Sequence, residues 1–137
     1  MTAKDYLKQV KNLDLRLQCM AEQLQSLRSA ATSIPTTISD MPGAATPNVH
    51  QMEDVVVRIV GLENDIRVVF NQLADINETI NSISDPLQQA TVVKRYISNK
   101  SWDDIAYELG ISTSKVYRLH RAALVEVDKI TGKFDSK

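Results

Sequence analysis

Two long stretches of this chain repeat apolar residues at alternating spacings of three and four. Within residues 6–31 the repeating positions are Tyr6, Val10, Leu13, Leu17, Met20, Leu24, Leu27 and Ala31. Within residues 50–84 they are Met52, Val55, Ile59, Leu62, Ile66, Val69, Leu73, Ile76, Ile80 and Ile83. This spacing places the apolar side chains on one face of a helix, as in helices that pack along a heptad seam. The pattern predicts two long amphipathic helices and an all-α fold.

A segment rich in Pro, Ser and Thr, residues 32–49, separates the two stretches. It contains three of the chain's four prolines and shows no apolar period. Such a composition is typical of a mobile loop. We therefore expect residues 1–84 to form a coiled-coil-like helical hairpin, with Thr2 and Asp5 as an imperfect capping box at its start. Gly61 inside the second helix is unfavourable by roughly 1 kcal/mol relative to alanine, which would be explained by a closely approaching backbone.

The second helix has more apolar surface than one partner helix covers, because Val56, Val60 and Phe70 lie beside its main seam. A wide stripe fits either packing in a small bundle or association of chains. We predict a homo-oligomer, with a dimer favoured. The residues expected to join the chains are Val55, Ile59, Leu62, Ile66, Val69, Leu73 and Ile76.

Helix start and stop signals follow one another closely in residues 85–131. Asp85 and Pro86 are suited to begin a helix that ends near Asn99. Ser101 can cap a next helix, which Gly110 would end. Ser112 can then cap a last helix. The order is a capped helix, a glycine, one apolar residue and a second capped helix, which is the spacing of a helix-turn-helix domain. Residues 132–137 are expected to form a tail.

The last helix has one apolar and one polar face. We expect its buried stripe to consist of Val116, Leu119, Ala123, Val127 and Ile130. The opposite face is predicted to bind DNA through Thr113, Ser114, Lys115, Tyr117, Arg118 and Arg121. An arginine can bond a guanine bidentately, and further cations can meet phosphates. The competing interpretation is a solvated polar surface, but the turn spacing and caps favour DNA.

Charge and composition narrow the class of protein. Residues 1–85 carry seven basic and eleven acidic side chains, and residues 86–137 carry nine and six. A basic C-terminal part favours a nucleic-acid partner. The single cysteine, Cys19, fits a reducing cytoplasm. No N-terminal stretch has the apolar run of a signal peptide and no window is apolar enough to span a membrane, so we expect a cytoplasmic protein. His50 and His120 lack neighbours suited to a metal site, and the sequence contains no catalytic motif, so we expect neither an enzyme nor a cofactor. Trp102 is expected to pack against the "VVKRYI" helix.

The stretch "VVKRYISNKSWDDIAYELGISTSKVYRLHRAALVEV" resembles region 4 of bacterial sigma-70 factors. The likeness lies in a helix ending in Arg-Tyr, a Trp-led capped helix, "ELGIS" and a last helix ending in "RAAL". It implies that Thr113, Ser114, Tyr117 and Arg118 face bases, with Lys115 and Arg121 near phosphates. Sigma factors usually have longer charged groups at the positions of Thr113 and Ser114, so the preferred base sequence is expected to differ.

The opening "MTAKDYLKQVKNLDLRLQ", the Pro-rich gap and the second heptad helix resemble a family of small phage and prophage proteins of Gram-positive bacteria with a sigma-like C-terminal helix-turn-helix. Over its whole length the chain is similar to the RinA and ArpU late transcriptional regulators. That resemblance implies a phage-encoded activator of late packaging and morphogenesis genes, which binds double-stranded DNA and acts with host RNA polymerase in the bacterial cytoplasm. Two alternatives remain open. One is a DNA-packaging protein of the small-terminase type, and the other is a coiled-coil scaffold whose helix-turn-helix binds only protein.

Overall fold

The described residues of this computed structural model are 1–33 and 45–132, and their side chains are described at 1–32 and 50–132. Within these ranges the backbone forms five α-helices and no strand. The helices are α1 (Ala3–Ser33), α2 (Ala45–Asn81), α3 (Pro86–Val92), α4 (Trp102–Leu109) and α5 (Thr113–Thr131). A π-helical stretch, Val93–Ile97, continues directly from α3. The predicted all-α fold is confirmed.

The segment expected to be a loop is partly helical. Helix α2 begins at Ala45, five residues before the predicted start, so the loop prediction was wrong for residues 45–49. Pro47 lies in the first turn of α2, where a backbone N–H has no partner within the helix, so proline is tolerated there. The remainder of the predicted loop, residues 34–44, and the tail after Gly132 lie outside the described residues.

The chain divides into two compact units at positions that differ from the division predicted at residue 84. Residues 1–14 and 71–137 form one, here called the helix-turn-helix unit, and residues 15–70 form the other, the hairpin unit. The start of α1 and the end of α2 thus belong with the C-terminal helices. Leu7 and Ile76 explain this, because both side chains are fully buried in the core of the helix-turn-helix unit. The heptad pattern did not include Leu7.

The core of the helix-turn-helix unit draws on every helix of that unit. Helix α5 packs against α3 and α4, and the π-helical stretch packs against α4. The fully or nearly fully buried hydrophobic residues of this unit are Ala3, Leu7, Val10, Leu13, Ile76, Ile80, Ile83, Val92, Tyr96, Ile105, Ala106, Val116, Ala123 and Val127. At the start of α1 the Thr2 and Asp5 capping box is confirmed, because each backbone N–H donates to the other's side chain at 3.2–3.3 Å.

The hairpin unit consists of two helices, the later part of α1 and the earlier part of α2. Arg28 on α1 and Glu63 on α2 are 3.8 Å apart. The seam residues of this unit are mostly half-buried, and among its described side chains only Val69 is buried as fully as a core residue. Two helices shield each other on one side only, so a two-helix unit leaves part of its apolar surface in solvent.

Candidate nucleic-acid interface

The turn between α4 and α5 has the geometry that the sequence predicts. The Ser101 hydroxyl accepts from the Asp104 backbone N–H at 3.1 Å, and the Ser112 hydroxyl accepts from the Lys115 backbone N–H at 3.2 Å. Gly110 adopts the left-handed conformation with φ of 67° and ends α4. Three local signals therefore fix the angle at which α5 leaves α4.

Helix α5 is amphipathic, and its polar face contains the residues predicted to bind DNA. The exposed members are Ser114, Lys115, Tyr117, Arg118 and Arg121, and Thr113 is half-buried at the first helical position. The first turn of α5 contains no acidic residue. The positive end of the helix dipole is thus left for an anion. The arrangement provides hydroxyls and a helix terminus at one end and three cations along the face.

The buried stripe of α5 differs from the predicted one at two positions. Ile130 is 37% exposed, and His120 is only 7% exposed. Leu119 is half-buried, whereas Val116, Ala123 and Val127 are buried as predicted. His120 lies four residues after Val116 and three before Ala123, which is helical spacing for one face. The spacing could have placed His120 inside, but its polarity argued against it.

His120 is buried beside a tyrosine. Its Nε2 atom lies 2.6 Å from the Tyr96 hydroxyl, and the two rings stack with centroids 5.7 Å apart. Burial, together with the positive charges of Lys4 and Arg95, lowers the pKa of His120 from 6.5 to about 4. Burial also raises the pKa of the Tyr96 hydroxyl. Both side chains are therefore neutral at pH 7, and this hydrogen bond joins the π-helical stretch to α5.

Trp102 connects this buried pair to the exposed face of α5. Its ring makes edge contacts with His120 at 4.7 Å and with Tyr117 at 5.4 Å between centroids. The guanidinium carbon of Arg95 lies 4.2 Å from the Trp102 ring centroid, a cation–π contact. Trp102 thus packs against the "VVKRYI" segment as expected. The contacts that Trp102 makes with Arg95 and Tyr117 fix the position of α5 relative to α4 and the π-helical stretch.

A surface ion cluster joins Glu108, in the last turn of α4, to Lys94 of the π-helical stretch and to Lys100, which lies just before α4. The Nζ atoms of Lys94 and Lys100 lie 2.9 Å and 2.6 Å from Glu108 Oε1. Hydrogen bonds from Lys100 and then Lys94 lower the pKa of the Glu108 carboxyl. Two of the region's cations are therefore paired within the chain, so the α5 cations are the better candidates for binding phosphates.

The residues predicted to join chains lie in a seam that one chain already covers in part. Val69 and Ile76 are almost fully buried, and the other five are half-buried: Val55, Ile59, Leu62, Ile66 and Leu73. Packing within the chain accounts for Val69 and Ile76 without a second copy. The apolar side chains beside the seam are more open, since Val56, Val60 and Phe70 are about half exposed. That the seam joins chains stays a prediction.

The position of Gly61 does not have the close neighbour that the sequence led us to expect. A methyl group added there would meet no heavy atom within 4 Å. Gly61 instead lines an open groove of about 860 Å³ in the hairpin unit, together with Cys19, Leu27, Arg58 and Asp65 among others. Within a single chain, no closely approaching backbone accounts for Gly61.

The described residues contain neither a metal-binding cluster nor a membrane-spanning helix. No group of three or more His, Cys, Asp or Glu side chains in residues 1–33 and 45–132 is arranged to hold a metal ion. Over the same ranges, no helix has an apolar stretch long enough to cross a membrane.

The chain was compared with protein families, curated proteins and solved structures. A protein-family model described as protein of unknown function, DUF1492, matches residues 35–128, which is more than half of the chain. The match includes α2, α3, α4 and nearly all of α5. Neither a curated protein nor a solved structure matches the chain.

Proposed function

The chain belongs to the DUF1492 family, and we propose that it is a sequence-specific DNA-binding protein whose recognition helix is α5. The main support is that the turn between α4 and α5 has helix-turn-helix geometry and that the exposed face of α5 carries positively charged side chains. The turn at Gly110 is that of a helix-turn-helix, and Arg118 and Arg121 are exposed on the face of α5 opposite its buried stripe, with Lys115 at the edge of that face. In such domains the second helix lies in the major groove.

The side chains on α5 suit this role by length and position. Arg118 is long enough to bond the O6 and N7 atoms of a guanine in the major groove. Ser114 and Thr113 lie in the first turn of α5, the end that approaches base edges in helix-turn-helix complexes. Lys115 and Arg121 are placed for phosphates. Tyr117 is 45% exposed, and its contact with Trp102 restrains the ring.

We propose that the biological role is transcription regulation in a bacterial cytoplasm, by activation of phage late genes. Support comes from the resemblance of residues 92–127 to sigma-70 region 4 and of the whole chain to the RinA and ArpU regulators. No part of the chain resembles the sigma regions that open DNA or bind the polymerase core. A protein of this kind would therefore act beside a complete host RNA polymerase holoenzyme.

We further propose that chains associate, with a dimer favoured. The seam residues of the hairpin unit are mostly half-buried. Beside the seam on α2, Val56, Val60 and Phe70 are about half exposed. A second copy could cover these side chains. A dimer of helix-turn-helix domains binds two half-sites, separated by whole turns of about 10 base pairs when both lie on one side of the DNA.

Selection of bound fragments from random and phage DNA tests the DNA-binding proposal. Recovery of one sequence motif at physiological salt is the expected result. Transcription in vitro with host core polymerase, with and without the housekeeping sigma factor, then tests the mechanism. Stimulation only in the presence of sigma is expected.

Other outcomes of these experiments favour other functions. Transcription with core polymerase alone would indicate a minimal sigma factor, and repression throughout would contradict activation. A ring of many subunits with weak sequence selectivity would favour a small-terminase type of packaging protein. Absence of any salt-dependent DNA binding would favour a scaffold.

A further inference from the structure

A basic pocket lies in the helix-turn-helix unit, between the start of α1 and the end of the π-helical stretch. Its volume is about 420 Å³, and it is lined by Lys8, Lys11, Asn12, Arg95, Tyr96 and Asn99. Three of these six side chains are cationic, and none of them is acidic. The pocket combines residues more than eighty positions apart in sequence, so it exists only in the folded chain.

Arg95 is held in place at the wall of this pocket. Its Nη1 atom donates to the Lys100 carbonyl oxygen at 3.0 Å, while its guanidinium lies over Trp102 at 4.2 Å. A guanidinium has five N–H donors, so one bond to Lys100 leaves others for a ligand. A side chain already fixed by two contacts loses little conformational freedom when it binds an anion.

The other side chains add donors and charge. Lys8 and Lys11 are exposed on α1, and the amides of Asn12 and Asn99 can each donate two hydrogen bonds. Asn99 has a left-handed backbone, with φ of 57°. Three cations and two amides suit a compact anion with several oxygen atoms. Arginine and lysine together are typical ligands of phosphate.

We infer that this pocket binds a phosphate group, at a place separate from the recognition face of α5. A phosphate of the DNA backbone is the source that the geometry favours, and this choice of source rests on the proposed function. Arg95 contacts Trp102, and Trp102 contacts Tyr117 on the α5 face. The pocket is thus connected to that face through two ring contacts, of 4.2 Å and 5.4 Å.

The first arm of the test measures the salt dependence of DNA binding by the full chain. The double variant Lys8→Gln/Lys11→Gln removes two charges at exposed positions. The variant Arg16→Gln/Lys129→Gln removes the same charge at exposed positions that do not line the pocket. Loss of one phosphate contact should lower the slope of log K against log salt by about 0.9. We expect that decrease in the pocket variant and no comparable decrease in the control.

The second arm detects a free phosphorylated ligand without DNA. Inorganic phosphate and pyrophosphate are titrated into the 15N-labelled protein, and amide shifts of residues 8–12 and 95–99 are followed. Saturable shifts in the wild type and the control, but not in the pocket variant, together with an unchanged salt slope, would identify a free anion as the source. Thermal unfolding of each variant checks that the fold is retained.

The two arms separate this inference from the proposed function. If the wild type binds no DNA, the proposed function fails and the phosphate titration alone decides the pocket. If DNA binding is normal in the pocket variant and neither anion shifts the pocket amides in the wild type, the inference is overturned while the recognition helix is unaffected.

Discussion

The hydroxyl of Tyr96 and the Nε2 atom of His120 lie 2.6 Å apart in the core of the helix-turn-helix unit. They are 24 positions apart in sequence and are 6% and 7% exposed, respectively. The phenol can donate to the ring nitrogen only when the imidazole is neutral, whereas the ring N–H can donate to the phenol oxygen in either protonation state. Because His120 is buried, its protonation would put a charge into the core against which α5 packs, which is unfavourable.

Acid should destabilise the protein before its carboxylates titrate. The pKa of His120 is about 4 in the folded chain and about 6.5 when unfolded. A lowered histidine pKa means that the unfolded state binds more protons between these values, so stability is full above pH 6.5 and falls as pH drops towards 4. We expect the free energy of unfolding to fall by about 1–2 kcal/mol between pH 7 and pH 5. Urea denaturation at both pH values measures it.

His120→Gln provides the control for this effect. Glutamine keeps a hydrogen-bonding group but cannot titrate, so its stability should change little between pH 7 and pH 5. A His120→Gln protein that loses as much stability as the wild type would show that another group is responsible.

Two glycine substitutions should have opposite effects on stability. Gly61 lies inside α2 with open space around it, so Gly61→Ala should stabilise the protein by about 0.5–1 kcal/mol through helix propensity. Gly110 also has open space, but its φ is 67°, so Gly110→Ala should destabilise the protein by about 1–2 kcal/mol. Chemical denaturation at one fixed protein concentration tests both. A destabilised Gly61→Ala protein would indicate that something covers this part of α2.

Association should depend on the open side of the α2 stripe. Val56, Val60 and Phe70 lie within about 80° of one another around the helix at 3.6 residues per turn. Val60→Glu/Phe70→Glu should give a monomer of 15.3 kDa with wild-type helix content, because both side chains are about half exposed in the single chain. Ile66→Asp should instead dissociate or unfold the protein, because it puts an unpaired charge in the seam. Light scattering and circular dichroism at micromolar concentration separate these results.

Val68→Glu is the matched control for association. Val68 is 58% exposed, as Phe70 is 59% exposed, but it lies about 120° around α2 from Val56. It should leave the mass of the assembly unchanged. A wild-type protein that already has a mass near 15.3 kDa would contradict the association prediction.

The sequence predicted the parts of the fold that local chemistry decides. The caps at Asp85, Ser101 and Ser112 and the left-handed Gly110 are all observed. Each depends on residues at most a few positions away, so the pattern of side chains is sufficient. The start of α2 was missed because prolines weaken a helical pattern, although Pro47 is compatible with a first turn.

Features that depend on contacts between distant residues were not predictable. A polar His120 within an apolar stripe gives no sign of its partner, since Tyr96 reaches it only after α3 and α5 pack. The π-helical stretch adds one residue per turn and so changes which side chains face inward. The pocket of Lys8, Lys11 and Arg95 needs the start of α1 to lie in the helix-turn-helix unit. The heptad pattern assigned that segment to the hairpin.

The most direct test of the account is a fluorescence anisotropy titration of Arg118→Ala and Arg121→Ala against a selected duplex and its single-base variants, over a range of salt concentrations. Arg118→Ala should weaken specific binding by about 1–3 kcal/mol and relax the preference at one base pair, because a guanine contact is lost. Arg121→Ala should weaken binding to all sequences alike and lower the salt slope by about one, because a phosphate contact is lost. Two variants that bind every duplex as the wild type does would contradict the assignment of α5 as the recognition helix.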